Sequence, residues 1–477
     1  MANIPLVVDL DGTLIHTDML HESALSAFRE APSSALAMPI WLLKGKAYLK
    51  QKLSHCAPLN PETLPYNLPL IDWLKEQRAQ GRKLVLSTAT DATIAQAIAH
   101  HVGLFDEVLA SDGSTNLAGD NKANVLVARF GEKGFDYAGN ATPDLAVWKV
   151  AHQAIVVNAP NSLEEKAKAI CLVAHTFPAQ RTGLGIWRRV LRMHQWMKNL
   201  LLFVPMLAGH QFTNFQSWQT LILAFIAFSI CASSVYIAND LMDLESDRQH
   251  PHKRKRPFAS GLVPIWIGVL LTPLLIMASF WLASLVSAGF FYCLVLYFIL
   301  TSLYTWRLKK LVLIDCITLA MLYTLRIIAG TEALNLEYSF WLLAFSVFIF
   351  LSLAFIKRYA ELAVQIQHGK TTAAGRGYHT DDATIIQNLG ISSGYVSVLV
   401  FALYLNSEKI LILYKIPHMI WAAVPIILFW ISWMWMQAHR GKMHDDPLVF
   451  AVKDKASLAA GLLFVVVMAI GALGLPW

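Results

Sequence analysis

NDLMDLESDRQHPHKRKRPFASG, residues 239–261, sets three aspartates and a run of four basic residues at the end of an apolar stretch. Asp240, Asp243 and Asp247 are spaced three and four residues apart, so on a helix they share one face. Carboxylates at the edge of a membrane helix are costly unless they bind something. Mg²⁺ with a diphosphate suits them, because this hard cation is usually shared between carboxylates and substrate phosphates. Lys253, Arg254, Lys255 and Arg256 supply the complementary charge for phosphate oxygens. Alone, the basic run reads equally well as a positive-inside loop. With the acids beside it, it reads as a site.

Around that stretch the chain is too apolar for a soluble protein. Of its 477 residues 56% are hydrophobic, and the mean hydropathy is +0.48. Stretches of membrane-crossing length recur after Lys198. We read nine spans, at roughly 199–213, 218–239, 262–283, 287–306, 311–333, 339–357, 389–406, 417–437 and 456–475; the first is short and contains a proline, which leaves eight open. Alternate flanks collect 21 Lys and Arg, whereas the opposite flanks hold only Lys409 and Lys415. That asymmetry predicts a multi-pass protein of the bacterial inner membrane with residues 239–261 on the cytoplasmic side. The net charge of +7 arises from Arg181 onward, where 24 basic residues face 14 acids; before it the count is 15 against 18. Such basicity reports topology and contact with anionic membrane lipids or phosphate, so nucleic acid is not needed as a partner. Five scattered cysteines without a CxxC pair indicate neither a disulfide framework nor a zinc site.

Residues 1–160 read differently. Short apolar runs at Pro5–Val8, Lys83–Leu86, Asp136–Ala138 and Ala154–Val157 alternate with helical stretches, the pattern of a parallel-sheet α/β domain. Residues 15–80 look like a small helical cap inserted into it, and 161–185 like a linker. Beyond it, Arg188, Arg189 and Arg192 mixed with Trp187, Leu191 and Trp196 suit an interfacial helix. At the end of the first strand, DLDGT projects Asp9 and Asp11 where open α/β sheets carry their sites. Two carboxylates at that spacing can divide labour between attack on phosphorus and proton transfer. With LVLST ending in Thr88, GDNKAN carrying Lys122 and GNATPD carrying Asp144, the order resembles the haloacid dehalogenase (HAD) phosphatases. The resemblance implies Asp9 as nucleophile and Asp11 as acid/base. It also implies that Thr88 and Lys122 hold the phosphoryl group, and that Asp9, Asp144 and the carbonyl of Asp11 bind Mg²⁺. Asn140 departs from the pattern, standing where an acid is common, which should weaken Mg²⁺ binding.

The segment 239–261 resembles the first motif of the UbiA prenyltransferase superfamily, NDxxDxxxD followed by HPxKxxRPxxSG. The matching residues are Asn239, Asp240, Asp243, Asp247, His250, Pro251, Lys253, Arg256 and Pro257. This implies an all-α, nine-helix bundle over 186–477 with Mg²⁺-diphosphate chemistry at its cytoplasmic face. Most members carry a second DxxxD motif; here Asp381 and Asp382 are adjacent and do not share a helical face as an i,i+4 pair does. QWMKN at 195–199, YTWRLKKLVLIDC at 304–316, LYTLRIIAG at 322–330, RGYHTDD at 376–382 and HRGKMHDDPLVFAVKD at 439–454 instead resemble the decaprenyl-phosphate phosphoribosyltransferase branch. That branch implies a polyprenyl phosphate as nucleophile and 5-phosphoribosyl diphosphate (PRPP) as donor. Asp240 and Asp243 would then be catalytic, with Asp247, as ligands of the metal on the leaving diphosphate. Asn239, Lys253 and Arg256 would hold that diphosphate.

Weaker positions carry two readings each. Lys198 grips a phosphate or snorkels at the interface. Asp315 and Arg326, three helical turns and about 16 Å apart on one face, contact substrate or pair inside the membrane. Tyr378, Asp381 and Asp382 cover the ribose or form an ordinary loop, while Asp445 and Asp446 read as helix-start acids. Four readings remain open at this point: phosphoribosyl transfer with a tethered phosphatase that takes the product's 5-phosphate, prenyl transfer to an aromatic acceptor, a non-catalytic HAD domain regulating the membrane part, and a transporter or receptor gated by its soluble domain. The sequence also leaves a homo-oligomer open.

Overall fold

The computed structural model describes residues 4–56, 59–112, 115–179, 183–369, 371, 376–443 and 446–474. It falls into two compact units, Met1–Val190 with Ile237–Thr272, and Leu191–Tyr236 with Pro273–Trp477.

In the first unit, helices α1 (Met19–Glu30), α2 (Ser34–Leu43) and α3 (Lys46–Cys56) form the cap around a small core of Ala27, Leu49 and Leu53. Six strands, β1 (Leu6–Val8), β2 (Leu84–Asp91), β3 (Glu107–Ser111), β4 (Asp136–Gly139), β5 (Gln153–Ala159) and β6 (Leu172–Pro178), form one sheet in the order β3-β2-β1-β4-β5-β6. All its pairings are parallel. Strand residues alternate between two apolar layers, as the two-residue period of a strand requires. Leu6, Val8, Leu84 and Leu86 pack with α4 (Leu68–Ala79) and α5 (Ala92–Val102). Val7, Val85, Ala154 and Val156 pack with α6 (Asp120–Phe130), α7 (Asp144–Val150) and α8 (Asn161–Ile170). Strand order turns about β1 and β4, so the crevice beyond their carboxyl ends is the expected place for a ligand. The stretch 161–185 was expected to be a linker, yet it contains α8 and β6. β6 is an edge strand with Leu172 exposed, and so carries no buried-strand signature.

Among the described residues, eight helices are long and apolar enough to cross a membrane: Phe215–Met242, Ile265–Ser284, Ala288–Trp306, Ile314–Ala333, Phe340–Gln367, Thr380–Leu405, Pro417–His439 and Lys455–Leu473. The protein is a multi-pass membrane protein. The ninth span, expected at 199–213, is replaced by a 3₁₀ stretch, Met193–Phe203, and a five-residue helix, Val204–Ala208. At 1.5 Å per residue the helix is far too short to cross a bilayer. In the second unit one core gathers Leu202, Met206, Phe228, Phe290 and Tyr297, and another gathers Phe350, Phe355, Phe401, Ile431 and Trp435. Gly390 and Gly394 let Trp435, Ile431 and Ser352 rest against bare backbone, the close approach by which membrane helices associate.

Candidate active sites

The DLDGT turn ends β1 and brings two carboxylates into the crevice. Gly12 makes the turn with φ of +75°, and a Cβ there would collide with the side chain of Asn140. Asp9 is buried and takes a hydrogen bond from the Lys122 ammonium at 2.6 Å. The same ammonium donates to the Tyr137 hydroxyl at 3.0 Å, which donates to Asp144 at 2.8 Å. The other Asp144 oxygen accepts the backbone N–H groups of Asn140 and Ala141, both at 2.9 Å. Asp11 accepts from the Met19 N–H at 2.7 Å and the Thr90 hydroxyl at 2.9 Å. Thr88 is fully buried, and its hydroxyl accepts the Thr90 N–H.

Burial pushes the Asp9 carboxyl up to about 7, with Asp144 and Asp11 acting the same way against the pull of Lys122. Burial and Asp18 raise Asp11 to about 6, near neutrality, where a general acid/base works best. Burial acts to lower the Lys122 ammonium, but Asp9 and Asp144 outweigh it and raise it. The three carboxylates, with Lys122 bonded to one of them, are oxygen donors that suit a divalent cation at Asp9, Asp144 and the Asp11 carbonyl. These groups line a cavity of about 660 Å³ whose wall also includes Lys50 of the cap and Gly261, Leu262, Pro264, Ile265 and Trp266. The last five lead from the 239–261 segment into the membrane helix Ile265–Ser284.

In that segment, helix Phe215–Met242 ends one residue before Asp243, and a short helix, Leu244–Gln249, follows. Helical hydrogen bonds run through the junction, from Asp243 N–H to the Asn239 carbonyl and from Asp247 N–H to that of Asp243, both at 2.8 Å. The spacing of the triad is therefore kept in helical register. Arg256 turns inward and donates to Asp240 at 3.1 Å and Asp247 at 2.5 Å, so one guanidinium bridges two buried carboxylates. Lys253, Arg254 and Lys255 stay exposed. Among the described residues no three His, Cys, Asp or Glu side chains close around a single metal position. Arg256 supplies the positive charge between Asp240 and Asp247. The oxygen donors still suit Mg²⁺, which needs only one or two carboxylates plus substrate phosphates.

The second unit holds three polar networks. Lys198 is ion-paired with Asp446 at 2.7 Å, Lys357 approaches the same carboxylate at 3.6 Å, and the Tyr323 hydroxyl donates to it at 3.1 Å. Burial acts to raise Asp446, but Lys198 and Lys357 override it and hold the carboxyl down at about 2. Asp446 does begin a helix, capping Pro447–Lys453, but it is also this hub. Arg326 is buried and bonded only to neutral groups among the described residues: Asn199 Oδ1 at 2.9 Å, the Leu322 carbonyl at 2.5 Å and the Tyr297 hydroxyl at 3.3 Å. Asp315 does not pair with it. Its partner is Arg358, on the next span and equally buried, and the Tyr378 hydroxyl donates to it at 2.5 Å. Tyr378 is 1% exposed and its hydroxyl also accepts the Leu313 N–H. Tyr378 is thus enclosed, with its hydroxyl engaged by Asp315 and Leu313. Asp382 caps its own turn by accepting the His379 N–H, with Asp381 exposed beside it.

The profile of the UbiA prenyltransferase family matches residues 202–459, more than half of the chain. The chain belongs to the UbiA prenyltransferase family. Over 463 residues it is 36% identical to the uncharacterized protein y4nM of Sinorhizobium fredii, covering 96% of this chain and 89% of that one. It is 37% identical over 289 residues to the nodulation protein NoeC of Azorhizobium caulinodans, covering 57% and 91%. To the decaprenyl-phosphate phosphoribosyltransferase of Mycolicibacterium smegmatis it is 29% identical over 273 residues, covering 56% and 86%. UbiA membership accounts for the membrane unit. The N-terminal domain brings Asp9, Asp11, Lys122 and Asp144 to the wall of one cavity, with Thr88 buried in β2. Tyr137, which links Lys122 to Asp144, was not singled out in the sequence; its only signal there is a tyrosine inside a buried strand. Glu22 and Arg248, which pair at 2.6 Å, had no sequence signal either.

Proposed function

We propose that the membrane part transfers 5-phosphoribose from PRPP to a polyprenyl phosphate, and that the N-terminal domain removes the 5-phosphate of the product. Transfer forms a bond between the lipid phosphate oxygen and ribose C1 as the bond from C1 to the diphosphate breaks. Asp240, Asp243 and Asp247 would hold a divalent metal at the departing diphosphate, and Lys253 with Arg256, which lies between Asp240 and Asp247, would take the charge that develops on it. Lys198, Asn239 and Arg326 are assigned to substrate phosphates. The likeness to the mycobacterial phosphoribosyltransferase and the adjacent, self-capped Asp381–Asp382 pair favour this reading over prenyl transfer to an aromatic acceptor.

In the phosphatase step Asp9 attacks the phosphorus while Asp11 protonates the leaving alkoxide. Asp11 then takes a proton from the water that hydrolyses the aspartyl phosphate. Lys122 and Thr88 hold the transferring oxygens. Mg²⁺ at Asp9, Asp144 and the Asp11 carbonyl supplies charge neutralisation at the phosphoryl group. One observation carries the pairing of the two activities: Gly261, Leu262, Pro264, Ile265 and Trp266, which follow directly from the aspartate motif, form part of the wall of the Asp9 cavity. A domain that only regulated its partner would not need the complete Asp9–Lys122–Tyr137–Asp144 chain. A cytoplasmic domain there meets a lipid-bound 5-phosphate at high effective concentration. With purified protein and ribose-labelled PRPP, Asp9→Asn should accumulate the 5-phosphorylated lipid where the natural protein yields the dephosphorylated one. The same lipid product from both proteins would end the coupling.

A further inference from the structure

The cap carries a surface that neither site uses. α2 reads SALAMPIWLL and buries only Ser34. Leu36 and Leu43 are 82% and 89% exposed, with Ile40 and Leu42 exposed beside them. Met38 and Trp41 pack against the core made with α1 and α3, so the helix is seated and still open on its apolar side. A contiguous apolar patch of this kind marks an interaction surface. Its charge identifies the partner. Residues 31–61 contain Lys44, Lys46, Lys50 and Lys52 and no Asp or Glu, within an N-terminal domain that is otherwise acidic. An apolar helix with aromatic and lysine residues at its end has the composition of a segment that lies in a membrane interface, and clustered lysines favour an anionic leaflet.

Position agrees with composition. α1 is tied to the loop between the first two membrane spans by the Glu22–Arg248 pair at 2.6 Å and the Arg29–Glu245 pair at 3.6 Å. Glu245 lies three residues past the end of the span Phe215–Met242, and α2 begins five residues after Arg29. The two pairs therefore attach the cap to the loop that directly follows a membrane span. We propose that α2 and the lysines after it form a foot that lies in the headgroup layer of an anionic bilayer. The same cap sends Lys50 into the catalytic cavity, where its ammonium donates to the Ala89 carbonyl at 2.6 Å. Docking the foot would fix the cap at the level where a lipid-borne phosphate arrives.

The test uses the full chain in nanodiscs of mixed anionic and neutral phospholipid. A spin label is placed at Leu43→Cys in a background with Cys56 and Cys293 changed to Ser, since the other three cysteines are buried. A parallel label at Leu172→Cys, on the exposed edge strand β6, is the reference. The ratio of oxygen access to access by a water-soluble nickel chelate should be at least about tenfold higher at Leu43 than at Leu172. The ratio should fall severalfold toward the reference when Lys44, Lys46 and Lys52 are changed to Glu, or when the lipid is pure phosphatidylcholine. Equal chelate access at the two positions overturns the proposal. So does dipolar coupling between Leu43 labels, which would assign the face to a second copy of the chain. Both label sites are exposed, and circular dichroism melting of each variant checks that it has folded.

Discussion

Glu22→Ala should loosen the attachment of the cap to the loop of the aspartate motif far more than a surface change would. The two partners are 4% and 7% exposed, and Arg248 donates to both Glu22 oxygens, at 2.6 and 3.2 Å. Thr17 also gives its hydroxyl to Glu22 at 2.7 Å. Removing the carboxylate leaves a buried guanidinium with the Ala259 carbonyl as its remaining recorded partner. Breaking such a pair from one side costs about 3–5 kcal/mol, because the other charge stays buried and uncompensated. At about 1.4 kcal/mol per factor of ten, local opening should become roughly 10²- to 10⁴-fold more frequent. Hydrogen exchange of peptides covering α1 and Leu244–Gln249, in full-length protein in nanodiscs, reads this directly. Glu22→Met with Arg248→Leu should restore most of the protection, since an apolar pair of similar volume can replace a buried ion pair. Acceleration below tenfold, or a double-mutant cycle with Arg248→Ala showing no coupling, would refute the assignment of this pair as the strut.

Lys122→Met removes the cation bonded to Asp9 and should cut phosphate release by about 10²- to 10³-fold, measured on a lipid-linked or nitrophenyl phosphate, with lipid labelling unaffected. Asn140→Asp restores an acid beside Asp144 and should tighten Mg²⁺ by about tenfold; an unchanged Mg²⁺ half-saturation of phosphate release would count against the proposed metal site. Asp446→Asn leaves Lys198 and Lys357 without their shared carboxylate and should lower thermal stability in detergent. The Asp446 carboxyl is held at about 2 in the folded chain, below its ordinary value of 3.8, so its stabilisation is present above pH 4 and lost as the pH falls toward 2. The stability difference between natural protein and variant, of order 2 kcal/mol, should therefore shrink across that window. A pH-independent difference would show that the charge is not what matters.

Fold class and most of the phosphatase-like cluster were legible because they follow local rules. β1, β2, β4 and β5 announce themselves as short buried runs; Asp9 and Asp11 follow β1, Thr88 lies within β2, and Lys122 and Asp144 sit in the first turns of helices. β3 and β6 did not, since their half-exposed residues lack the apolar run of a central strand. The stretch 199–213 matched a span in apolar content, yet it folds as a 3₁₀ stretch and one short helix. Long-range pairing was the part the sequence concealed. Asp315 and Arg326 share a helical face by spacing, but the partner of Asp315 is Arg358 on another span, and Arg256 bridges Asp240 and Asp247 where a cation alone had been expected. Such choices depend on which helices meet, and no local period encodes that.

Phosphoribosyl transfer is tested most directly by incubating reconstituted protein with ribose-labelled PRPP and polyprenyl phosphate, with and without Mg²⁺, beside Asp240→Asn. Label should enter the lipid phase only with Mg²⁺ and only in the natural protein. Unlabelled lipid under all conditions, together with a prenylated aromatic formed from a prenyl diphosphate, would contradict phosphoribosyl transfer and return the membrane part to ordinary prenyl chemistry.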